Sequence, residues 1–281
     1  NVAVYSLTGG VVTLTGPIVA AGGNATIAST FSGSAGLTKT GSGTLTLGAV
    51  TNLYSGGTLV SGGVLSISSD AQLSAAGESL TLAGGTLNYT GSINSMYRPI
   101  ALGAGGGKIS LGNWLNYYGA ITGGSGLSVG GWDFILQPNA PNNLGTITMT
   151  SSRLFINNAN AIANNAAIII TNSAKLALQS AAPTAPQNPI TFYSGCGFCA
   201  RINNVVLSTT NAVFPASGTF IFNNDDAVTY GMQVIGNWPT LTGALTLQVG
   251  GGTATTVGPV TIGATLGGAY GVTKSNPGVL V

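Results

Sequence analysis

Apolar and polar residues alternate along this chain in short runs, as in Thr44-Leu45-Thr46-Leu47, Ser79-Leu80-Thr81-Leu82, Thr146-Ile147-Thr148-Met149-Thr150 and Leu245-Thr246-Leu247. Strict alternation is the period of a strand with one buried face. Gly-Gly, Asn-Asn and Ser-Gly pairs interrupt the runs at short intervals and read as turns. Helical spacing is nearly absent. The Ala/Asn-rich stretch 158–167 has room for one short turn at most. The pattern predicts an all-β fold.

The runs also recur at long range. Residues 36–100 echo at 126–190: Gly36-Leu37-Thr38 falls on Gly126-Leu127-Ser128, Leu45 on Ile135, Val64-Leu65-Ser66-Ile67 on Leu154-Phe155-Ile156-Asn157, and Pro99-Ile100 on Pro189-Ile190. A partial third copy runs over 271–281, from Gly271-Val272-Thr273-Lys274 to Leu280-Val281. Self-similarity of this kind marks stacked repeats, in which each unit buries its apolar face only against its neighbours. The expected architecture is a right-handed parallel β-helix, a β-solenoid with irregular coils and loop insertions. Each coil should take roughly twenty to twenty-five residues. On this reading 1–281 is a single elongated body, with 191–235 as a loop-rich insertion. Asparagines at the turns are expected to stack into amide ladders along the axis.

The string Gly36-Leu37-Thr38-Lys39-Thr40-Gly41-Ser42-Gly43-Thr44-Leu45-Thr46-Leu47 is similar to the autotransporter passenger-associated repeat. So is its continuation, Asn52-Leu53-Tyr54-Ser55-Gly56-Gly57-Thr58-Leu59-Val60-Ser61-Gly62-Gly63-Val64-Leu65-Ser66-Ile67. The resemblance is close over 36–67, weaker over 126–160, and partial at 271–281. It implies a β-helix passenger of a bacterial surface or secreted protein. The repeat carries no catalytic residues, so it implies none here.

Charge narrows the function classes. Charged residues are 4% of the chain, with seven basic and five acidic side chains and no His, against about 25% in a typical soluble domain. There is no basic stripe for nucleic acid and no acidic face for cations. A content of 44% hydrophobic residues at net +2 is also unlike a disordered chain. The longest apolar cluster, 166–170, is far short of the ~20 residues a membrane-crossing helix needs. The chain opens on Asn1 with no Met and no basic-then-apolar leader, which fits either an exported, processed protein or a cut piece of a longer one, and the expected location is extracellular or at the cell surface.

Few side chains invite chemistry. Cys196-Gly197-Phe198-Cys199 lacks the helix N-terminus of a redox site and a His for zinc. In an exported chain the pair is expected to form a local disulfide pinning a turn. Asp225-Asp226 is the single adjacent carboxylate pair, and neighbours on a strand point to opposite faces. An exposed turn is the expected reading, rather than the acid pair of a carbohydrate-active enzyme. Trp114 and Trp238 share a Gly-Asn-Trp setting, with Tyr117, Tyr118 and Trp132 near the first. Packing between coils or at an interface is expected of them rather than a sugar platform. Metal sites and cofactors are not expected.

The head of the chain resembles the half that the third copy lacks. Tyr5-Ser6 precedes Gly9-Gly10-Val11-Val12-Thr13-Leu14, as Tyr54-Ser55 precedes Gly62-Gly63-Val64-Leu65-Ser66-Ile67 with a longer spacer. Tyr5, Ser6, Val11, Val12 and Leu14 of one copy are therefore expected to stack on Val272, Lys274, Val279, Leu280 and Val281 of the next. A head-to-tail contact that does not close makes a filament. The first functional reading is a non-enzymatic extracellular structural protein whose partner is itself, with the cell surface or extracellular matrix as further partner. The second is the passenger or stalk segment of a bacterial surface adhesin.

Overall fold

The computed structural model describes residues 4–16, 18–20, 22–48, 51–92, 95–137, 142–157, 161–162, 166–178, 188–201, 205–208, 212–224, 232–250, 260–276 and 279–281. They fall into two units: Asn1–Phe134 with Asn139–Thr146, and Ile135–Pro138 with Ile147–Val281.

In the first unit one parallel ladder runs through Val4–Leu7, Asn24–Ile27, Thr44–Leu47, Val64–Ile67, Thr86–Tyr89, Gly107–Leu111 and Ile121–Gly130. A second runs through Ile18–Ala20, Leu37–Lys39, Thr58–Val60, Leu80–Leu82, Ile100–Leu102 and the start of Ile121–Gly130. Strands of the two ladders follow one another along the chain, with Val11–Leu14, Thr30–Gly33, Ser95–Met96 and Leu115–Tyr117 between them in parallel pairs of their own, so the chain winds and each circuit lands on the last. Paired Cα positions lie 20 residues apart at Val4 and Asn24 and 22 apart at Thr86 and Lys108. The molecule is a parallel β-solenoid, and parallel neighbours are possible because the rest of each coil is the crossover.

The second unit repeats the plan. Arg153–Ile156, Lys175–Leu178, Gly197–Ala200, Gly218–Asn224, Leu245–Val249 and Val272–Ser275 form one ladder. Ala167–Ile170, Ile190–Phe192 and Ala212–Val213 form another, and Val205–Ser208, Met232–Asn237 and Val260–Thr265 a third. The step widens from 22 residues at Arg153 and Lys175 to 28 at Met232 and Val260, beyond the expected range. Within 191–235, read from sequence as loop-rich, the described residues carry Gly197–Ala200, Val205–Ser208, Ala212–Val213 and Gly218–Asn224 in these ladders. Residues 202–204, 209–211 and 225–231 lie outside the described residues, as do 158–160 and 163–165 of the stretch read as one turn.

Alternation sets the core. In Thr44–Leu47 the leucines are buried and the threonines half-buried, and Leu80–Leu82 and Leu245–Val249 follow suit. Register then stacks like on like: Leu45 on Leu65, Leu65 on Leu87, Leu87 on Ile109 and Ile109 on Val129, all at most 2% exposed. Each such side chain contributes about 1.5–3 kcal/mol by leaving water. In the second unit aromatics take over: Phe192, Phe214, Phe220, Phe222 and Trp238 pack with centroids 4.2–5.7 Å apart.

Asparagines join coils by bonding to their backbone groups. Asn52 accepts from Phe31 N at 2.7 Å and donates to Gln72 O at 2.6 Å, linking the coil before and the coil after. Asn142 Oδ1 accepts from Ile121 N, and Asn188 Nδ2 donates to Ala166 O. One amide side chain satisfies two backbone groups that a turn would leave unpaired.

Candidate functional site

The best-defined polar site is a turn around a buried lysine. Leu37–Lys39 and Thr44–Leu47 are joined by a Gly-rich arch, and Lys39 lies on the inward face of its strand, 1% exposed. Its Nζ donates to the carbonyls of Thr40 and of Gly41 (3.0 Å) in its own arch, and to Gly62 O (3.3 Å) in the coil above. Burial pushes its pKa below the ordinary lysine value. The arch needs glycine where the cation sits: at Gly63, with φ of +60°, an added Cβ would lie 2.7 Å from Lys39 Nζ and 2.4 Å from the carbonyls of Gly41 and Gly43. This lysine is a structural fastener between coils.

Lys274 lies in a turn of matching sequence. Gly36-Leu37-Thr38-Lys39-Thr40-Gly41 aligns without gaps on Gly271-Val272-Thr273-Lys274-Ser275-Asn276. Gly41 and Asn276 share the left-handed conformation, at φ +64° and +68°. Lys274 Nζ donates to Asn276 O, as Lys39 does to Gly41 O, but Lys274 is exposed.

The other residues read as self-assembly candidates fall as follows. Val272, Val279 and Val281 are exposed, at 40%, 56% and 69%, and Leu280 is half-buried. Val272 pairs with Leu245, and Val260 bridges Leu280. At the head, Ser6 and Val11 are exposed, Val12 is half-buried and Leu14 is buried. Val4–Leu7, which holds Tyr5, pairs with Asn24–Ile27, and Val11–Leu14 with Thr30–Gly33. The Tyr5 side chain lies outside the described residues.

A second lock was not read from the sequence. Ser69 and Gln72 form a capping box on the one-turn 3-10 helix Asp70–Gln72, a signature legible as Ser-x-x-Gln. Arg98, 3% exposed, pairs its Nε with Asp70. Its other nitrogens donate to Ser74 Oγ and to the carbonyls of Asp70, Ser74 and Glu78.

The expected disulfide is not present. Cys196 and Cys199 are separate thiols, both buried. Gly197–Ala200 is an extended strand, which sets residues three apart about 10 Å from each other, beyond the 7 Å a disulfide spans. Cys199 packs instead in a cluster with Phe155 and Ala177, against which Ile135 rests. Arg153 and Arg201 lie 5.1 and 4.6 Å from the Phe155 ring centre. Burial pushes the Cys196 thiol up, away from a reactive thiolate.

The two Gly-Asn-Trp strings part ways. Trp238 is 4% exposed, stacked 4.2 Å from Phe214, with Nε1 donating to Pro215 O. Trp114 and Trp132 are 40% and 54% exposed. Tyr117 is buried beside Phe134, while Tyr118 stacks on the exposed Tyr97 at 4.7 Å. Asp225-Asp226 lies outside the described residues. An open groove of about 290 Å³ beside Gly36, Thr38, Gly56, Gly57, Ser79 and Thr81 has no acid or base in its lining. Among the described residues no group of His, Cys, Asp or Glu is placed to hold a metal, and no helix is long and apolar enough to cross a membrane.

Four consecutive strands of the ladders, Leu37–Lys39, Thr44–Leu47, Thr58–Val60 and Val64–Ile67, coincide with a known unit: the passenger-associated-transport-repeat matches residues 37–67. The chain carries this repeat. It is also similar to the adhesin BmaC autotransporter of Brucella suis biovar 1 (strain 1330), with 44% identity over 106 residues. That stretch is 34% of this chain, and the chain spans about 3% of the adhesin's length. No solved structure matches.

Proposed function

We propose that the chain is a structural, non-enzymatic segment of an exported bacterial surface protein, serving as β-solenoid stalk in an adhesin-type passenger. The observation that carries this is the repeat at 37–67, whose arches and strands are the working parts of the first unit's ladders. The likeness to an autotransporter adhesin supports the same reading, and with it exposure at the cell surface. A stalk needs length, stiffness and a surface that does not attract charged partners, and a stack of uncharged rungs supplies them. Its contacts are then with the cell surface or extracellular matrix.

The test is on intact cells of the producing strain, using antibody raised to the purified chain. Labelling without permeabilisation, lost after external protease, is the expected result. Labelling only after permeabilisation would overturn the reading.

A second reading, self-assembly of copies head to tail into a fibre or surface layer, is favoured by one observation. Val272 in the strand Val272–Ser275 and Val11 in Val11–Leu14 are apolar side chains 40% and 66% exposed. Negative-stain images of the purified chain would show filaments on this reading, and single short particles against it.

A further inference from the structure

The exposed aromatics of this chain are gathered rather than scattered. Among the described residues five aromatic side chains stand open to water, and three of them, Tyr97, Trp114 and Trp132, lie within the first unit, on neighbouring coils. Tyr118 joins them by stacking on Tyr97. Packing between coils accounts for Trp238 and Tyr117, which are buried, but not for these four rings. We propose that they form a binding platform for a neutral oligosaccharide. The inference goes beyond the stalk reading and does not rest on it.

The strand Leu115–Tyr117 builds the strip. Leu115 and Tyr117 are 0% exposed, so Asn116 points outward, and Trp114 and Tyr118 flank it on that side at period two. The Cα atoms of Trp114 and Tyr118 are then about 13 Å apart, a span that suits a run of linked sugar rings rather than one. The coil before adds Tyr97. Ser95 pairs with Asn116 and Met96 with Tyr117, which sets Tyr97 opposite Tyr118 with ring centres 4.7 Å apart and planes 10° apart. Tyr97 gives one face to Tyr118 and is still 64% exposed, so its other face is open. The coil after adds Trp132, 54% exposed, whose N donates to Leu111 O at 3.2 Å and so lies beside Gly112, two residues from Trp114.

Three observations choose the occupant. The rings alternate with polar side chains, Ser95, Asn113 and Asn116, and Asn113 Oδ1 accepts from Trp114 N at 2.9 Å, which leaves Nδ2 as its donor. A pyranose is divided in the same way, with C–H bonds on its faces and hydroxyls round its rim, and slightly positive C–H bonds suit the negative face of an aromatic ring. Charge is the second observation. Asp133, beside Trp132, is 5% exposed, and Asp70, which accepts from Tyr97 N, is paired with Arg98. The rings and the polar groups between them carry no charge, so no basic groove is there to hold a nucleic acid or an acidic glycan. Area is the third. Four rings about half exposed offer roughly 400 Å², half of the ~800 Å² that each partner brings to a stable protein interface.

The test is protection of tryptophan fluorescence from acrylamide in the purified full chain. The probes are neutral oligosaccharides of glucose, galactose, mannose and N-acetylglucosamine, with heparin as the charged control. Buried Trp238 serves as the internal standard. Tyr97→Leu and Trp132→Leu keep an apolar side chain and remove the ring, while Tyr97→Phe keeps the ring. Both positions are exposed, so all three variants are expected to melt as the parent does.

The expected result is protection by at least one neutral oligosaccharide with a Kd of about 1 mM or tighter. Binding should weaken about tenfold in each Leu variant and stay at the parental level in Tyr97→Phe. No protection by any neutral probe at about 10 mM, equal protection in the Leu variants, or protection by heparin alone would overturn the platform. Surface labelling of cells by a chain that binds no sugar would remove this inference and leave the stalk reading standing.

Discussion

Lys39 illustrates what a charge is for in a chain with so few of them. Its ammonium fastens the carbonyls of Thr40, Gly41 and Gly62, from two coils, in a place where water does not reach them. Lys39→Met should leave those acceptors short and cost about 1–3 kcal/mol of stability by denaturant titration. The matching change at exposed Lys274 should stay within about 0.5 kcal/mol. Arg98 is held more tightly, with five contacts to three residues of the 70–78 segment, Asp70, Ser74 and Glu78. Arg98→Met strands the Asp70 carboxylate and should cost about 3–5 kcal/mol. Stability should also depend on pH in one direction. Burial raises the pKa of Tyr54, Tyr89 and Tyr117 above 10.0. The unfolded chain sheds those protons first, so the stability they give is full below pH 10 and is lost as pH rises beyond it. Lys39, with its lowered pKa, works the opposite way, but it is one group against three. With no His in the chain, a melting temperature nearly flat from pH 6 to 9 and falling above 10 is expected in a thermal scan.

Elements are made by alternation and joined by close-packed arches. At Gly43 an added Cβ would lie 1.8 Å from Gly23 O, while at Gly16 it meets nothing within 4 Å. Gly43→Ala should cost about 1–3 kcal/mol and Gly16→Ala almost nothing, measured by thermal melts of both variants. The strands and their stacking were legible in the sequence because period two survives wherever one face is buried, as in Thr44–Leu47. The arches were legible as Gly pairs, but the buried cation at Lys39 was not, although the Gly-x-Thr-Lys strings at 36–39 and 271–274 were visible. The cysteine pair misled because Cys-x-x-Cys suggests a turn, whereas here Gly197–Ala200 is extended and the thiols diverge. Trp238 and Trp114 share a local string yet differ in burial, since Phe214 and Phe220 receive one of them. No local signal encodes that difference.

At the scale of the whole molecule, the proposed stalk reading gives the parallel coils of each unit a mechanical task, holding and spacing. Nearest-neighbour rungs give way one after another under load, because each is secured mainly by the coils that touch it. The most direct measurement is single-molecule stretching of the full chain held at its two ends. Coils of 19 residues (Ile18 to Leu37) up to 28 (Met232 to Val260) should release about 7–10 nm each, in a staircase of similar force peaks. A single rupture freeing the entire chain at once, or smooth extension with no resisting peaks, would contradict it.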